Sequence, residues 1–470
     1  MKHYDCAIIG TGPAGQKAAI QAAKLGKKVV IIEKNATVGG ATINTGTIPS
    51  KALREAVLHL TGASKRGLFG ESYRVKRDIT VADLIQVSQQ VIQHELQLVR
   101  SHFDRNGIDL IWGTAAFEAP NRLQVLRPGD SEHLTADKFI IATGTRPARP
   151  ANVPFNEKTI FCSDGILKLE RLPKSMIVVG GGVIGTEYAC MMATLGVKVT
   201  LVEGRREVLG FLDHEIAEAF HYHMRSMGMT LRLGEKVAKI DELPETPGEN
   251  GSSVRVQATL ESGKTLRAQT LLYAIGRQGT TAALKLENVN LAADDRERMK
   301  VDANYRTEAS HVYAVGDVVG FPALASTAME QGRLAVCHAY GVETKSMPEL
   351  FPLGIYAVPE ISMVGKTEDQ LTQAGIPYEC GIAQYNELAR GQLLGDELGM
   401  LKLLIHQENH TILGVHVIGT GATEIIHIGQ AVMAFGGTVE FFINNVFNFP
   451  TLAEAYKVAA LNGLNKLRNI

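Results

Sequence analysis

The stretch Tyr4-Asp5-Cys6-Ala7-Ile8-Ile9-Gly10-Thr11-Gly12-Pro13-Ala14-Gly15 decides how this chain folds. A short apolar run ends in glycines spaced Gly-x-Gly-x-x-Gly, and Pro13 suits the first position of a helix. The pattern predicts a strand ending at Ile9, a glycine turn, a helix over 13–25 and a second strand over 28–33. One such motif is a weak signal, but it recurs. Ser175–Val179 reads as a strand and Gly180-Gly181-Gly182-Val183-Ile184-Gly185 as a turn. A helix follows to Leu195, then a strand over Lys198–Glu203. In both copies a glutamate lies 23 positions after the first glycine. This is the pattern of a βαβ unit that holds a dinucleotide. The glycines let the backbone approach a pyrophosphate, the helix N-terminus stabilises its charge, and the carboxylate accepts from ribose hydroxyls. Gly10, Gly12, Pro13, Ala14, Gly15 and Glu33 form one expected site. Gly180, Gly182, Val183, Ile184, Gly185 and Glu203 form the other.

Outward from these copies the chain reads as several domains. Its 470 residues leave room for roughly three. A helix is predicted over Val81–Arg105, a strand-rich stretch over 107–126, and polar turns over 241–253 and 292–300. Past residue 345, strands near 361–364, 400–405 and 411–417 precede helices over 423–435 and 452–467. Lys plus Arg is 48 and Asp plus Glu is 49, which argues against nucleic-acid or anionic-membrane binding. The 47 glycines, against about 7 % in an average chain, mark positions where a side chain is unwelcome. The five cysteines lie far apart, so no CxxC pair or disulfide-knit scaffold is expected. A strand at the very start, without a signal-like segment, points to a cytoplasmic protein, and no apolar run is long enough to insert in a membrane. The histidines show no ligand spacing, so no metal site is expected.

Two further segments sharpen the reading. The run 138–147 is a strand ending in Ala142-Thr143-Gly144-Thr145-Arg146-Pro147, and 311–317 is a strand ending in Gly316-Asp317. The order GxGxxG, ATG, GxGxxG, GD resembles the pyridine nucleotide–disulfide oxidoreductase flavoproteins over the whole chain. The resemblance implies an α/β fold with two Rossmann-like dinucleotide-binding domains plus a C-terminal α+β dimerisation domain, assembled as a homodimer. FAD would be held by 1–147 and 272–345, NAD(P) by 148–271, and the dimer by 346–470. It implies that Ala142, Thr143, Gly144 and Arg146 line the crossing between domains and that Asp317 bonds the flavin ribityl chain. Gly276 and Arg277 would border a nucleotide, and the helix after Leu324, beginning at Ala325, would point its N-terminus at the flavin.

The segment Gly39-Gly40-Ala41-Thr42-Ile43-Asn44-Thr45-Gly46-Thr47-Ile48-Pro49-Ser50-Lys51 aligns without gaps to the family's Gly-Gly-x-Cys-x-x-x-x-Cys-x-Pro-x-Lys. Threonine stands at both cysteine positions, and a hydroxyl cannot form a disulfide. The family's His-Pro-Thr-x-x-Glu reads Phe449-Pro450-Thr451-Leu452-Ala453-Glu454, so the base is gone and Glu454 remains. Thr42 and Thr47 read as packing or capping residues beside the flavin, and Phe449 as a core or flavin-wall aromatic. The segments 46–54, 354–362 and 453–465 are most similar to the family's transhydrogenase branch, which implies FAD-dependent hydride exchange between NADP(H) and NAD(H), with the nicotinamide nucleotides as small-molecule partners. That branch keeps a cysteine where Thr42 stands here, but hydride exchange needs no thiol. The alternative is an NAD(P)H dehydrogenase that reduces a quinone or another small acceptor. Lys51 and Glu187 match the family's pair beside the flavin; outside the motif, Lys51 would read as an ordinary helix lysine. Arg205 and Arg206 follow Glu203 and read either as a solvated charge run or as donors to an NADP 2′-phosphate.

Overall fold

The computed structural model describes residues 1–70, 72–247 and 253–467. The chain divides into two compact units. One comprises Met1–Leu53, Ile85–Ala148 and Gly276–Pro348; the other comprises Arg54–Leu84, Arg149–Ile275 and Glu349–Ile470.

The first unit is built on a seven-stranded sheet. Lys2–Ile9 lies between Val29–Glu33 and Asp130–Ile141, parallel to both, and Val312–Ala314 adds in parallel to Asp130–Ile141. All of Val29–Glu33 is buried, as expected of a parallel strand covered on both faces. Alternation sends Cys6, Ile8, Val29 and Ile31 to one face, against Ala14, Ala18 and Ala22 of the helix Pro13–Lys24. Ala7, Ile9, Val30 and Ile32 pack on the other face with Phe117, Phe139 and Leu123. The helix Ala325–Ala339 crosses Pro13–Lys24 closely, because a Cβ on Gly332 would sit 2.2 Å from the Ala14 carbonyl oxygen.

The second unit repeats the βαβ plan in a five-stranded parallel sheet, ordered Thr230–Leu233, Lys198–Glu203, Ser175–Val179, Thr270–Tyr273, Ile160–Cys162. Three antiparallel strands, Val237–Pro247, Ser253–Leu260 and Thr265–Ala268, accompany it. The polar turn expected over 241–253 is therefore strand up to Pro247 and again at Ser253, and 248–252 lie outside the described residues. The C-terminal part carries a five-stranded antiparallel sheet over Leu353–Ile418, with helices Ala422–Ala434 and Glu454–Leu467.

The sequence-based boundary at 271/272 needs moving. It would cut the strand Thr270–Tyr273, which pairs with Ser175–Val179 in the second sheet, whereas the chain rejoins the first unit at Gly276. Residues Arg54–Leu84, placed by sequence with the first unit, group with the second.

Candidate nucleotide sites

The two glycine turns share one steric plan. Gly10 has φ +107°, a region that strongly disfavours side chains, and a Cβ there would meet the Ala142 carbonyl oxygen at 2.4 Å. A Cβ on Gly15 would sit 1.9 Å from the Gly10 carbonyl oxygen. Gly180 (φ +109°), facing the Ala274 carbonyl, and Gly185, facing the Gly180 carbonyl at 1.9 Å, reproduce this arrangement in the second unit. Each glycine is thus fixed by backbone packed against it, and each helix is pulled onto its turn.

Those helices begin without a side-chain cap. Gly12 starts Pro13–Lys24 and Gly182 starts Val183–Thr194, and neither N-cap supplies a hydrogen bond from a side chain. A Cβ on Gly12 or Gly182 would meet nothing within 4 Å. Uncapped first-turn amides beside open space are what an anionic pyrophosphate fills, so both turns fit a dinucleotide.

The two glutamates are held differently. The Glu33 carboxylate, 4 % exposed, accepts from the amide and hydroxyl of Thr11 and from the Asn35 amide at 2.8 Å. The Thr11 hydroxyl in turn accepts from the Gly39 amide at 2.9 Å. Glu203 accepts from the Gly181 amide (2.7 Å) and the Arg205 amide (2.9 Å), and from the Arg205 guanidinium at 3.0 and 3.2 Å. Burial pushes the Glu203 carboxyl up, but Arg205 and the two amides outweigh it and hold it below its ordinary value. The Arg205 side chain is 57 % exposed, and Arg206 beside it is exposed.

Near the first turn, Asp317 is the second residue of a short 3-10 turn over Gly316–Val319 and accepts from the Thr145 hydroxyl at 3.1 Å. The Gly316 amide donates to Gln331 Oε1 at 2.8 Å. Leu324 is the N-cap of Ala325–Ala339, again without a side-chain cap. Two arginines of the expected site are committed to protein groups. Arg146 pairs with Glu297 at 2.7 Å, and Arg277 donates to the Thr145 hydroxyl (2.8 Å) and carbonyl (2.9 Å). Thr11 and Thr145 were not among the sequence candidates. For Thr145 a signal existed, since it directly follows Ala142-Thr143-Gly144.

Residues 4–332 match the model of the pyridine nucleotide-disulphide oxidoreductase family, and 351–460 match the dimerisation domain of that family. The chain belongs to this family. It is 53 % identical over 470 residues to the soluble pyridine nucleotide transhydrogenase of Mycobacterium bovis, covering 100 % of this chain and 98 % of that protein. It is 45 % identical to the enzyme of the same name from Vibrio atlanticus, covering 99 % of each. Among solved structures, the HOCl-induced flavoprotein disulfide reductase RclA from Escherichia coli superposes with a TM-score of 0.86 at 27 % identity, over 97 % of this chain and 99 % of that one. LpdA from Mycobacterium tuberculosis gives 0.88 at 24 % identity, over 98 % and 99 %, a likeness of fold.

The segment that carries the redox cysteines in disulfide reductases of the family forms the short helix Gly40–Asn44 and the start of Thr47–Thr61. Thr42 is half-buried within the first, and Thr47 is exposed at the start of the second. Lys51, half-buried, lies one turn further along. Glu187 is 4 % exposed on Val183–Thr194 and accepts from the Tyr356 amide at 2.8 Å. Glu454 opens the C-terminal helix, and its Oε2 is buried without a hydrogen-bond partner. Phe449 is 72 % exposed and packs in no hydrophobic core among the described residues, because it sits in the segment between two helices; this removes the core alternative of its reading and leaves the flavin-wall one.

All five cysteines are free thiols. Among the described residues one acidic group, Asp213, Glu215 and Glu368, has metal-ligand spacing. Its centre is taken by the Lys402 ammonium, which bonds all three carboxylates. No helix among the described residues is long and apolar enough to cross a membrane.

Proposed function

We propose that this chain is an FAD enzyme that moves hydride between NADPH and NAD, working as a cytoplasmic homodimer. The observation that carries the reading is the duplicated turn, uncapped helix and anchored glutamate, in a chain similar over its full length to named transhydrogenases. FAD, when bound, would supply a two-electron carrier for hydride exchange between nicotinamide nucleotides.

In the first unit, Gly10, Gly12, Pro13, Ala14 and Gly15 bring the helix amides to the FAD pyrophosphate, and Glu33 accepts from the adenosine ribose. Ala142, Thr143, Gly144, Gly40, Thr42 and Thr47 line the bed, and Asp317 next to Gly316 takes a ribityl hydroxyl. Leu324 and Ala325 aim a helix N-terminus, and Lys51 places its ammonium, where negative charge builds on the reduced ring. In the second unit, Gly180, Gly182, Val183, Ile184 and Gly185 receive the nicotinamide dinucleotide. Glu203 accepts from a 2′-hydroxyl, and Arg205 and Arg206 serve a 2′-phosphate. With threonine at 42 and 47 there is no thiol to carry electrons past the flavin, and Glu454 lacks the histidine with which the family runs dithiol chemistry.

The test is kinetic. Purified enzyme given NADPH should reduce a thio-NAD analogue. Rapid quinone reduction without analogue reduction would replace the reading with the quinone-reducing alternative, and a protein that binds no FAD would remove both.

A further inference from the structure

The short antiparallel ladder between Thr145–Pro147 and Arg277–Gly279 directly follows the Ala142-Thr143-Gly144 turn and begins right after Gly276. Its register places Arg146 opposite Gln278 and Gly279 opposite Thr145. Strand alternation divides its side chains between two faces. Arg146 and Gln278 both bond Glu297 Oε1, at 2.7 and 2.8 Å. On the other face Arg277 Nε donates to Thr145 Oγ1 at 2.8 Å, and Thr145 Oγ1 lies 3.1 Å from Asp317 Oδ2. A second hydroxyl, on Thr280, donates to the Thr143 carbonyl at 2.6 Å and holds the turn to the same ladder.

The chemistry of the three groups fixes the direction of this chain. A guanidinium only donates and an ionised carboxylate only accepts. The Thr145 hydroxyl, caught between them, must accept from Arg277 and give its proton to Asp317. Bonds in such a series polarise one another, and a donor to a carboxylate is charge-assisted. Thr145 is the one side-chain donor to Asp317 among the described residues, and it engages Oδ2, leaving Oδ1 to another hydroxyl.

We propose that Thr145 is a positioning residue for FAD. Polarised by Arg277, it fixes the rotamer of Asp317 so that the free carboxylate oxygen meets the ribityl chain. The proposal rests on the reading that Asp317 contacts FAD, and the test separates the two. FAD affinity of the holoenzyme is measured from flavin fluorescence on dilution, for Thr145→Val, Thr145→Ser, Asp317→Asn and the double variant Thr145→Val/Asp317→Asn. Thr145→Val keeps the shape and removes the donor, and should weaken FAD binding about tenfold. Thr145→Ser restores the hydroxyl and should stay within about twofold of the parent. In the Asp317→Asn background the bond is no longer charge-assisted, so Thr145→Val should cost only about threefold. Normal FAD affinity in Asp317→Asn would overturn the contact between Asp317 and FAD, and the role of Thr145 with it. Weak FAD binding in Asp317→Asn with no loss in Thr145→Val would keep the contact and overturn Thr145 alone. Equal weakening by Thr145→Val and Thr145→Ser, or the same tenfold loss on top of Asp317→Asn, would reduce Thr145 to a packing residue.

Discussion

Truncating Arg205 to alanine is expected to separate the two nicotinamide nucleotides. In the structure the Arg205 guanidinium spans Glu203 with bonds of 3.0 and 3.2 Å, yet the same carboxylate keeps two backbone donors, the amides of Gly181 and Arg205. Arg205→Ala therefore leaves Glu203 anchored where it can accept from a 2′-hydroxyl. The lost side chain is 57 % exposed, so its removal should hardly change folding. A hydrogen bond to a charged group contributes about 1.5–3 kcal/mol, which corresponds to roughly 10- to 150-fold in Kd for the nucleotide that carries a phosphate there. NADPH should thus bind at least tenfold more weakly to Arg205→Ala, while NADH should stay within about threefold of the parent. Adding Arg206→Ala should widen the gap. The assay is equilibrium titration of each reduced nucleotide into oxygen-free enzyme, followed by nicotinamide fluorescence at fixed ionic strength, because exposed charges are screened by salt. Equal loss for both nucleotides would show that Arg205 merely shapes the loop. An unchanged NADPH affinity would make the pair a solvated charge run.

Three other outcomes follow from the same geometry. Gly185→Ala puts a methyl 1.9 Å from the Gly180 carbonyl, so the helix must retreat; nicotinamide nucleotide affinity should fall at least tenfold while the protein still purifies yellow, as spectra and titration would show. Lys51→Met should slow flavin reduction by NADPH about tenfold in stopped flow, with FAD content unchanged. Lys402→Met leaves the buried Asp213 and the half-buried Glu368 without their cation and should cost about 3–5 kcal/mol in urea unfolding at pH 7. Burial raises both carboxyls, but His416 and Lys402 beside Asp213, and Lys402 beside Glu368, hold them below their ordinary values, so the part of the parent's advantage that Lys402 supplies is present above about pH 4 and lost as pH falls through the depressed values; the deficit of the variant should shrink in acid.

What the sequence disclosed, and what it hid, follows from how far each feature reaches along the chain. The glycine turns were readable because their spacing is local: Gly10 and Gly15 are five residues apart, and Gly15 is required by the Gly10 carbonyl itself, although the group that excludes a side chain at Gly10 is the distant Ala142 carbonyl. The second copy was readable by repetition. The boundary at 271/272 failed because Thr270–Tyr273 has no turn signal before it, and its membership in a sheet is decided by a partner at Ser175–Val179. Nothing in the sequence singled out Lys402, which is fully buried and neutralised by carboxylates 34 and 189 positions away. The chain Arg277–Thr145–Asp317 joins residues 132 and 172 positions apart, and no periodicity encodes such a link. For Phe449 the core alternative failed because large apolar side chains are often left on a surface, and only the fold tells which.

The two nucleotide motifs differ at their second position, among others, and that difference suits two kinds of ligand. The second residue of the motif is Thr11 in one copy and Gly181 in the other. In the first copy the Thr11 hydroxyl, itself fully buried and held by the Gly39 amide, bonds Glu33. Short buried donors leave that glutamate one orientation and lose little entropy in holding it, which favours a cofactor kept through many turnovers. In the second copy glycine has no hydroxyl to offer, and the place is taken by the long, exposed side chain of Arg205. A guanidinium that reaches Glu203 from solvent can leave it for a stronger anion without breaking the fold. The same motif thus makes a fixed seat in one unit and an adjustable one in the other. That asymmetry is what a reaction needs when one dinucleotide stays while two others, differing by a phosphate, take turns.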